Sequence, residues 1–229
     1  MAILGEGNCS AGLDDGGFLV KASGSMMRSL TRADLVECRP DILLALLEKE
    51  EADDAFVDDT LLASRVDPSS KKPSVEAVFH AYCLSLDGVR FVGHTHASAV
   101  NSILCSPRAH EFAERRLFPD EVVCCGPASV FIPYTDPGLR LAQELRTRTA
   151  AFVHHHGQVP RVILIQNHGI ITVGRTPESV LAAMLMAEKA ATIWLGAACL
   201  GGPTFMSPAD VDRIANRLDE HYRRRSLNI

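Results

Sequence analysis

Apolar positions along the chain follow two periods. Within 40–50 they recur at Ile42, Leu43, Leu46 and Leu47, the spacing that lays one apolar stripe of an α-helix against a core. The same pattern predicts helices over 52–66, 74–86, 136–156, 177–198 and 208–225, and helical or partly helical stretches over 97–104 and 110–116. Short β-branched runs predict strands at 18–20, 89–92, 122–125, 130–132, 162–166 and 170–173. The glycine-rich stretch 5–17 reads as a loop, 21–24 as a turn, 31–35 as a capped turn or short helix, and 67–73 as a break between helices. Helices and strands mix throughout, and strands sit next to each other near the middle of the sequence. That mixture predicts one three-layer α/β domain over residues 1–229.

Composition narrows the function. The chain has 229 residues, 47% of them hydrophobic, enough for a sizeable core. A net charge of −5 argues against nucleic acid or an anionic membrane as the main partner, so any anion site must be local. The start lacks the basic and apolar regions of a secretion signal, and the longest apolar stretch, around 180–200, is interrupted by Glu188 and Lys189. The seven cysteines are scattered and form no CxxC pair, as in a cytoplasmic protein with reduced, buried thiols. Cys124 and Cys125 are expected to face opposite sides of a strand.

His94 and His96 stand two apart at a strand end, so both rings project to one face if the strand continues. Alone, such a pair is as compatible with a structural role as with a metal. His168 adds weight, because it too sits where a β-branched strand stops, with Gly169 after it. Three imidazoles leave a fourth position open, the arrangement of catalytic zinc; Mn²⁺ or Co²⁺ would also be accepted. The run His154-His155-His156 before Gly157 reads as a solvated helix C-terminus. His80 falls four residues after Glu76 on the same helix side and reads as a satisfied core histidine, with a supporting role at the site left open.

Five short motifs, in order, carry a resemblance: Gly7-Asn8-Cys9-Ser10, Ser23-Gly24, Pro73-Ser74-Val75-Glu76, His94-Thr95-His96 and Gln166-Asn167-His168-Gly169. Together they resemble the class II aldolase/adducin family, the group of L-fuculose-1-phosphate aldolase and L-ribulose-5-phosphate 4-epimerase. The segments 21–24, 43–46 and 67–76 look like the aldolase half of bifunctional rhamnulose-phosphate aldolase/dehydrogenase proteins, with no dehydrogenase half in this sequence. The resemblance implies a mainly antiparallel central sheet between helical layers, and a homotetramer with active sites between neighbouring subunits. It implies His94, His96 and His168 as ligands of Zn²⁺, Glu76 as the catalytic carboxylate, and Asn8, Ser10, Ser23, Gly24 and Ser74 as the phosphate site. Tyr222 is the counterpart of a tyrosine that donates a proton at the aldehyde end. The implied reaction is retro-aldol cleavage of a ketose 1-phosphate to dihydroxyacetone phosphate and a small aldehyde, with Glu76 moving a proton on the three-carbon fragment. A plain alternative for Glu76 is an acid that only stabilises a helix N-terminus.

The chain also departs from that pattern. Its first motif lies close to the start, where relatives carry one or two helices. Val75 stands where family aldolases often have a second serine, and a second tyrosine upstream of Pro133-Tyr134 has no counterpart. Epimerisation of a pentulose phosphate is the other enzyme reading, ranked lower because family epimerases tend to have Asp in place of Glu76. Dehydratase and decarboxylase chemistry use the same scaffold. A non-catalytic adducin-like module ranks last, since all three histidines and Glu76 are present.

Overall fold

Alternate residues of the central strands face different cores, which is why their sequences run as unbroken apolar stretches. The computed structural model describes residues 2–226 and 228–229. Its strands are β1 (Asn8–Gly12), β2 (Phe18–Lys21), β3 (Leu35–Cys38), β4 (Phe91–Thr95), β5 (Val130–Ile132), β6 (Val162–Ile165) and β7 (Gly169–Gly174). They form one sheet in the order β3-β2-β1-β4-β7-β6-β5, antiparallel at every pairing except β5 with β6.

Among the described residues, ten α-helices accompany it: α1 (Pro40–Leu47), α2 (Asp54–Ala63), α3 (Ala77–Leu84), α4 (Ser98–Leu104), α5 (Ala109–Glu114), α6 (Pro119–Cys125), α7 (Leu139–His156), α8 (Pro177–Ala198), α9 (Pro208–Ala215) and α10 (Leu218–Ser226). Phe18, Val20, Ile163, Ile165, Ile171 and Val173 point into the core shared with α1, α2, α3 and α7. Val162, Leu164 and Ile170 point the other way, towards α4, α5, α6 and α8. The predicted three-layer, mainly antiparallel α/β fold is therefore present. The second helical layer leaves part of the sheet open: Ala11, Leu19, Leu35 and Phe91 line, with Leu181 and Met184 of α8, an apolar groove of about 430 Å³.

Several local expectations are corrected. The 5–17 loop contains β1, and the turn at 31–35 runs straight into β3. Residues 122–125 are the end of α6 rather than a strand, with Pro119 in its first turn and Asp120 and Glu121 behind it. Cys125 accordingly faces a helix core and donates its thiol to the carbonyl of Ala183, rather than opposing Cys124 across a pleat. Cys105 and Cys199 are exposed rather than buried, and no disulfide forms among the described residues. The 208–225 helix is two helices, parted at Asn216 and Arg217. Helix α7 starts only at Leu139, after Gly138 with φ of 110°. At 22 residues, α8 is long and apolar enough to cross a membrane by length and composition alone, and Glu188 and Lys189 interrupt it as expected. It packs on β7 and α4 through Ala183, Met184, Ala187, Ala190 and Ala191, and its Glu188 carboxylate accepts the N–H groups of Ala99 and Val100.

Candidate metal centre

Strand β4 runs on past its predicted end, so His94 lies inside the sheet. It pairs with Asn8 of β1 on one side and Ile171 of β7 on the other, and its ring points towards α3, edge-on to Phe79. His96 follows just beyond the strand and is half-buried. His168 comes from the tight connection between β6 and β7, where Asn167 takes φ of 55°. Gly169 makes the approach possible: a Cβ there would lie 2.6 Å from the Thr95 carbonyl oxygen and 2.9 Å from His96 Cδ2. Asn101 holds the same turn by donating to the His168 carbonyl at 2.9 Å.

The three rings converge as predicted, with one nitrogen from each lying within 4.8 Å of the others. His94 Nε2 and His96 Nε2 approach to 3.2 Å. His94 Nδ1 is 3.0 Å from the Ile170 carbonyl, which can only accept, so Nδ1 carries the proton and Nε2 presents a lone pair. Burial first, then the neighbouring His96, pushes His94 down to about 3. Burial and His94 push His168 down to about 4 against the opposing pull of Glu76. Both rings are neutral near pH 7 and need lose no proton to act as ligands.

Glu76 occupies the N-cap of α3 without capping it. Its carboxylate turns to the histidines instead, with Oε1 3.3 Å from His168 Nε2 and Oε2 3.6 Å from His94 Nε2. Carboxylate oxygens and an imidazole lone pair facing one another repel unless a cation lies among them. Nitrogens around tetrahedral zinc lie about 3.3 Å apart, from bond lengths near 2.0–2.1 Å. The donor set therefore fits a divalent cation held by His94, His96 and His168. The helix-dipole reading of Glu76 does not account for this orientation.

A chain of hydrogen bonds fixes Glu76 from behind. His80 is fully buried, and burial pushes it down to about 3, so it is neutral. The Ser10 hydroxyl donates to His80 Nδ1 at 2.7 Å, and His80 Nε2–H donates to Asn8 Oδ1. The Asn8 amide must then turn its NH₂ outward, where it donates to Glu76 Oε2 at 2.5 Å and Ser74 Oγ at 3.3 Å. Ser74 Oγ also accepts the Glu76 backbone N–H at 3.3 Å.

The predicted phosphate residues divide. Asn8 and Ser74 touch Glu76, whereas the Ser10 hydroxyl is committed to His80. Ser23 and Gly24 are exposed on the turn after β2, joined to Ser74 by the bridge of Ala22 with Pro73. Lys21 is buried beneath that turn and donates to the carbonyls of Gly5, Ala22 and Ser25 at 3.2, 3.4 and 2.6 Å. Its role was visible in the sequence only as part of the 21–24 quartet. Tyr222 lies on α10, 72% exposed, and no hydrogen bond among the described residues ties it to the cluster.

Residues 1–195 match the family model described as the class II aldolase and adducin N-terminal domain. Over 160 residues, 70% of the chain, the sequence is 26% identical to a Bacillus subtilis (strain 168) protein described as the uncharacterized oxidoreductase YuxG. The chain spans only 21% of that relative's length. Among solved structures, the N-terminal class II aldolase domain of a Thermoplasma acidophilum protein superposes with a TM-score of 0.68 at 26% identity, covering 85% of both chains. An L-fuculose-1-phosphate aldolase from Thermus thermophilus shares the fold, with a TM-score of 0.58 at 22% identity and 88% of each chain covered.

Proposed function

The chain belongs to the class II aldolase and adducin family, and from that premise we propose that residues 1–229 act as a metal-dependent aldehyde-lyase. Its substrate is a ketose 1-phosphate of the L-rhamnulose or L-fuculose type, cleaved to dihydroxyacetone phosphate and a small aldehyde. The observation that carries this reading is the Glu76 carboxylate, set 3.3 Å from His168 and 3.6 Å from His94. A base so close to three histidines that would ligate a cation is placed for chemistry on a substrate carbonyl.

His94, His96 and His168 would hold the cation, Zn²⁺ by preference, with Mn²⁺ or Co²⁺ also suited to imidazoles. When bound, it supplies Lewis-acid polarisation of a carbonyl oxygen. In cleavage Glu76 delivers a proton to the carbon freed from its C–C bond, and in the reverse, condensing direction it removes that proton. Asn8 holds Glu76 in place, and its own amide is oriented by His80 and Ser10. Ser74 and the exposed Ser23-Gly24 turn supply donors for the phosphate, with the Lys21 ammonium adding positive potential beneath them. Ser10 acts through His80 and leaves the phosphate set. Val75 contributes no hydroxyl, so the phosphate is held by fewer side-chain donors than in relatives with two serines. Tyr222 lies too exposed to serve its own chain's site, and we assign it to the aldehyde end of a neighbouring subunit's site in a homotetramer.

The test is release of dihydroxyacetone phosphate from a panel of ketose 1-phosphates, with metal content measured in parallel. His168→Ala is expected to lose both bound metal and activity. Tyr222→Phe is expected to keep the metal and lose turnover, and the wild type should sediment as a tetramer. No release from any substrate by metal-loaded wild type would sink the aldolase reading in favour of epimerase, dehydratase or decarboxylase chemistry. Monomeric wild type would remove the role of Tyr222.

A further inference from the structure

We propose that Glu6 is a positioning residue for His96, accepting from its outer ring nitrogen and strengthening that ligand's hold on the cation. This rests on reading His94, His96 and His168 as a metal site.

Each ligand needs its ring orientation fixed. His94 has the Ile170 carbonyl on Nδ1. His96 turns Nε2 towards His94 at 3.2 Å, so its Nδ1 faces outward. The acid there is Glu6, with Oε1 3.7 Å from His96 Nδ1. That separation is an ion-pair distance, wider than a hydrogen bond. The Glu6 side chain is 36% exposed, which leaves it room to close.

The backbone explains why Glu6 stands there. Residues 3–6 form a turn in which the Glu6 N–H donates to the Ile3 carbonyl at 3.0 Å and the Ile3 N–H donates to Glu6 Oε2 at 3.0 Å. One carboxylate oxygen is thus anchored and the other is turned to His96. Lys21 holds the Gly5 carbonyl from the opposite side at 3.2 Å. Gly7 then presses against β4: with φ of 67°, its Cβ position lies 2.6 Å from the His94 carbonyl oxygen. No residue with a side chain fits at that contact, so the chain before Asn8 is fixed beside the metal ligands.

The chemistry follows from the charge. An imidazole that ligates through Nε2 keeps its proton on Nδ1, and a carboxylate accepting that proton fixes the tautomer and makes Nε2 a better donor. On closing from 3.7 Å, Glu6 would stand to His96 as the Ile170 carbonyl stands to His94, with a full negative charge added.

The measurement is Zn²⁺ affinity by chelator competition on the whole chain, for wild type, Glu6→Gln, Glu6→Ala and the distant surface control Asp14→Asn. Glu6→Ala is expected to weaken binding about 10- to 100-fold. Glu6→Gln, which keeps an acceptor oxygen without the charge, should fall between it and wild type. Asp14→Asn should match wild type, and melting of the metal-free proteins should be alike, which separates ligand positioning from folding. Glu6→Ala binding Zn²⁺ within twofold of wild type would overturn the role of Glu6 and leave the three-histidine site standing. Failure of the wild type itself to bind Zn²⁺ would overturn both.

Discussion

At the scale of single residues, the site is built from groups held neutral by burial. His80 and His94 have folded values near 3 against an ordinary 6.5. Between those values the unfolded chain takes up protons that the folded chain refuses, so the stability of the metal-free protein falls as pH drops from 6.5 towards 3. Each fully buried ring contributes a slope of at most about 1.4 kcal/mol per pH unit in that window. Urea unfolding of metal-free protein at pH 7.5 and 5.0 should show a lower midpoint in acid. His80→Gln should flatten the difference, and an unchanged difference would count against a neutral, buried His80. His94 and His96 were legible as a pair two apart at a strand end, although β4 stops at Thr95 and His96 follows it. His80 was legible as a core histidine, four residues from Glu76. Glu6 was not, because His96 lies far off in sequence and nothing local marks the contact; Lys21 entered only as part of the 21–24 segment, with no sign that its ammonium is buried among the carbonyls of Gly5, Ala22 and Ser25.

At the scale of elements, long helices with a clear apolar period emerged well, and α8 emerged with its bounds intact. Short elements did not. The Val-Val-Cys-Cys run favours a strand locally, but Val122 and Val123 are buried against Ile214 of α9 and Cys125 against α8, so tertiary packing selects the helix. Strand β1 carries little β-preference in Asn-Cys-Ser-Ala-Gly and is imposed by its neighbours β2 and β4. One side chain ties α5, α6 and β5 together. Arg116 is fully buried and donates to the carbonyls of Gly126, Ala113 and Arg115 at 2.8, 3.2 and 2.9 Å and to Ser129 Oγ at 2.8 Å. Glu121, raised by burial and held down by Arg116, lies 4.0 Å away. Arg116→Met strands those acceptors around a buried acid and is expected to cost about 3–5 kcal/mol in urea unfolding. Adding Glu121→Gln should recover part of it, and a loss below about 1 kcal/mol would show that the cluster relaxes without its cation.

At the scale of the whole molecule, strand order was the least legible property. Alternation along a strand says which residues face a core, but not which strand lies alongside. Here β1 pairs with β4 across a long stretch of intervening chain, from Asn8 to His94. The antiparallel sheet was therefore expected from the family resemblance, and periodicity alone gave only the mixture of helix and strand. The groove over the β1–β2–β3 end of the sheet, with Leu181 and Leu185 of α8 exposed at its side, bears on how the protein behaves under common stability assays. Dyes that fluoresce on contact with oily surfaces report unfolding because most folded proteins hide such surfaces. This chain keeps one open while folded. Its dye signal should already be high at room temperature, and Leu181→Glu should lower that starting signal without shifting the transition followed by circular dichroism. A melting curve read from dye fluorescence alone would make a well-folded preparation look partly denatured.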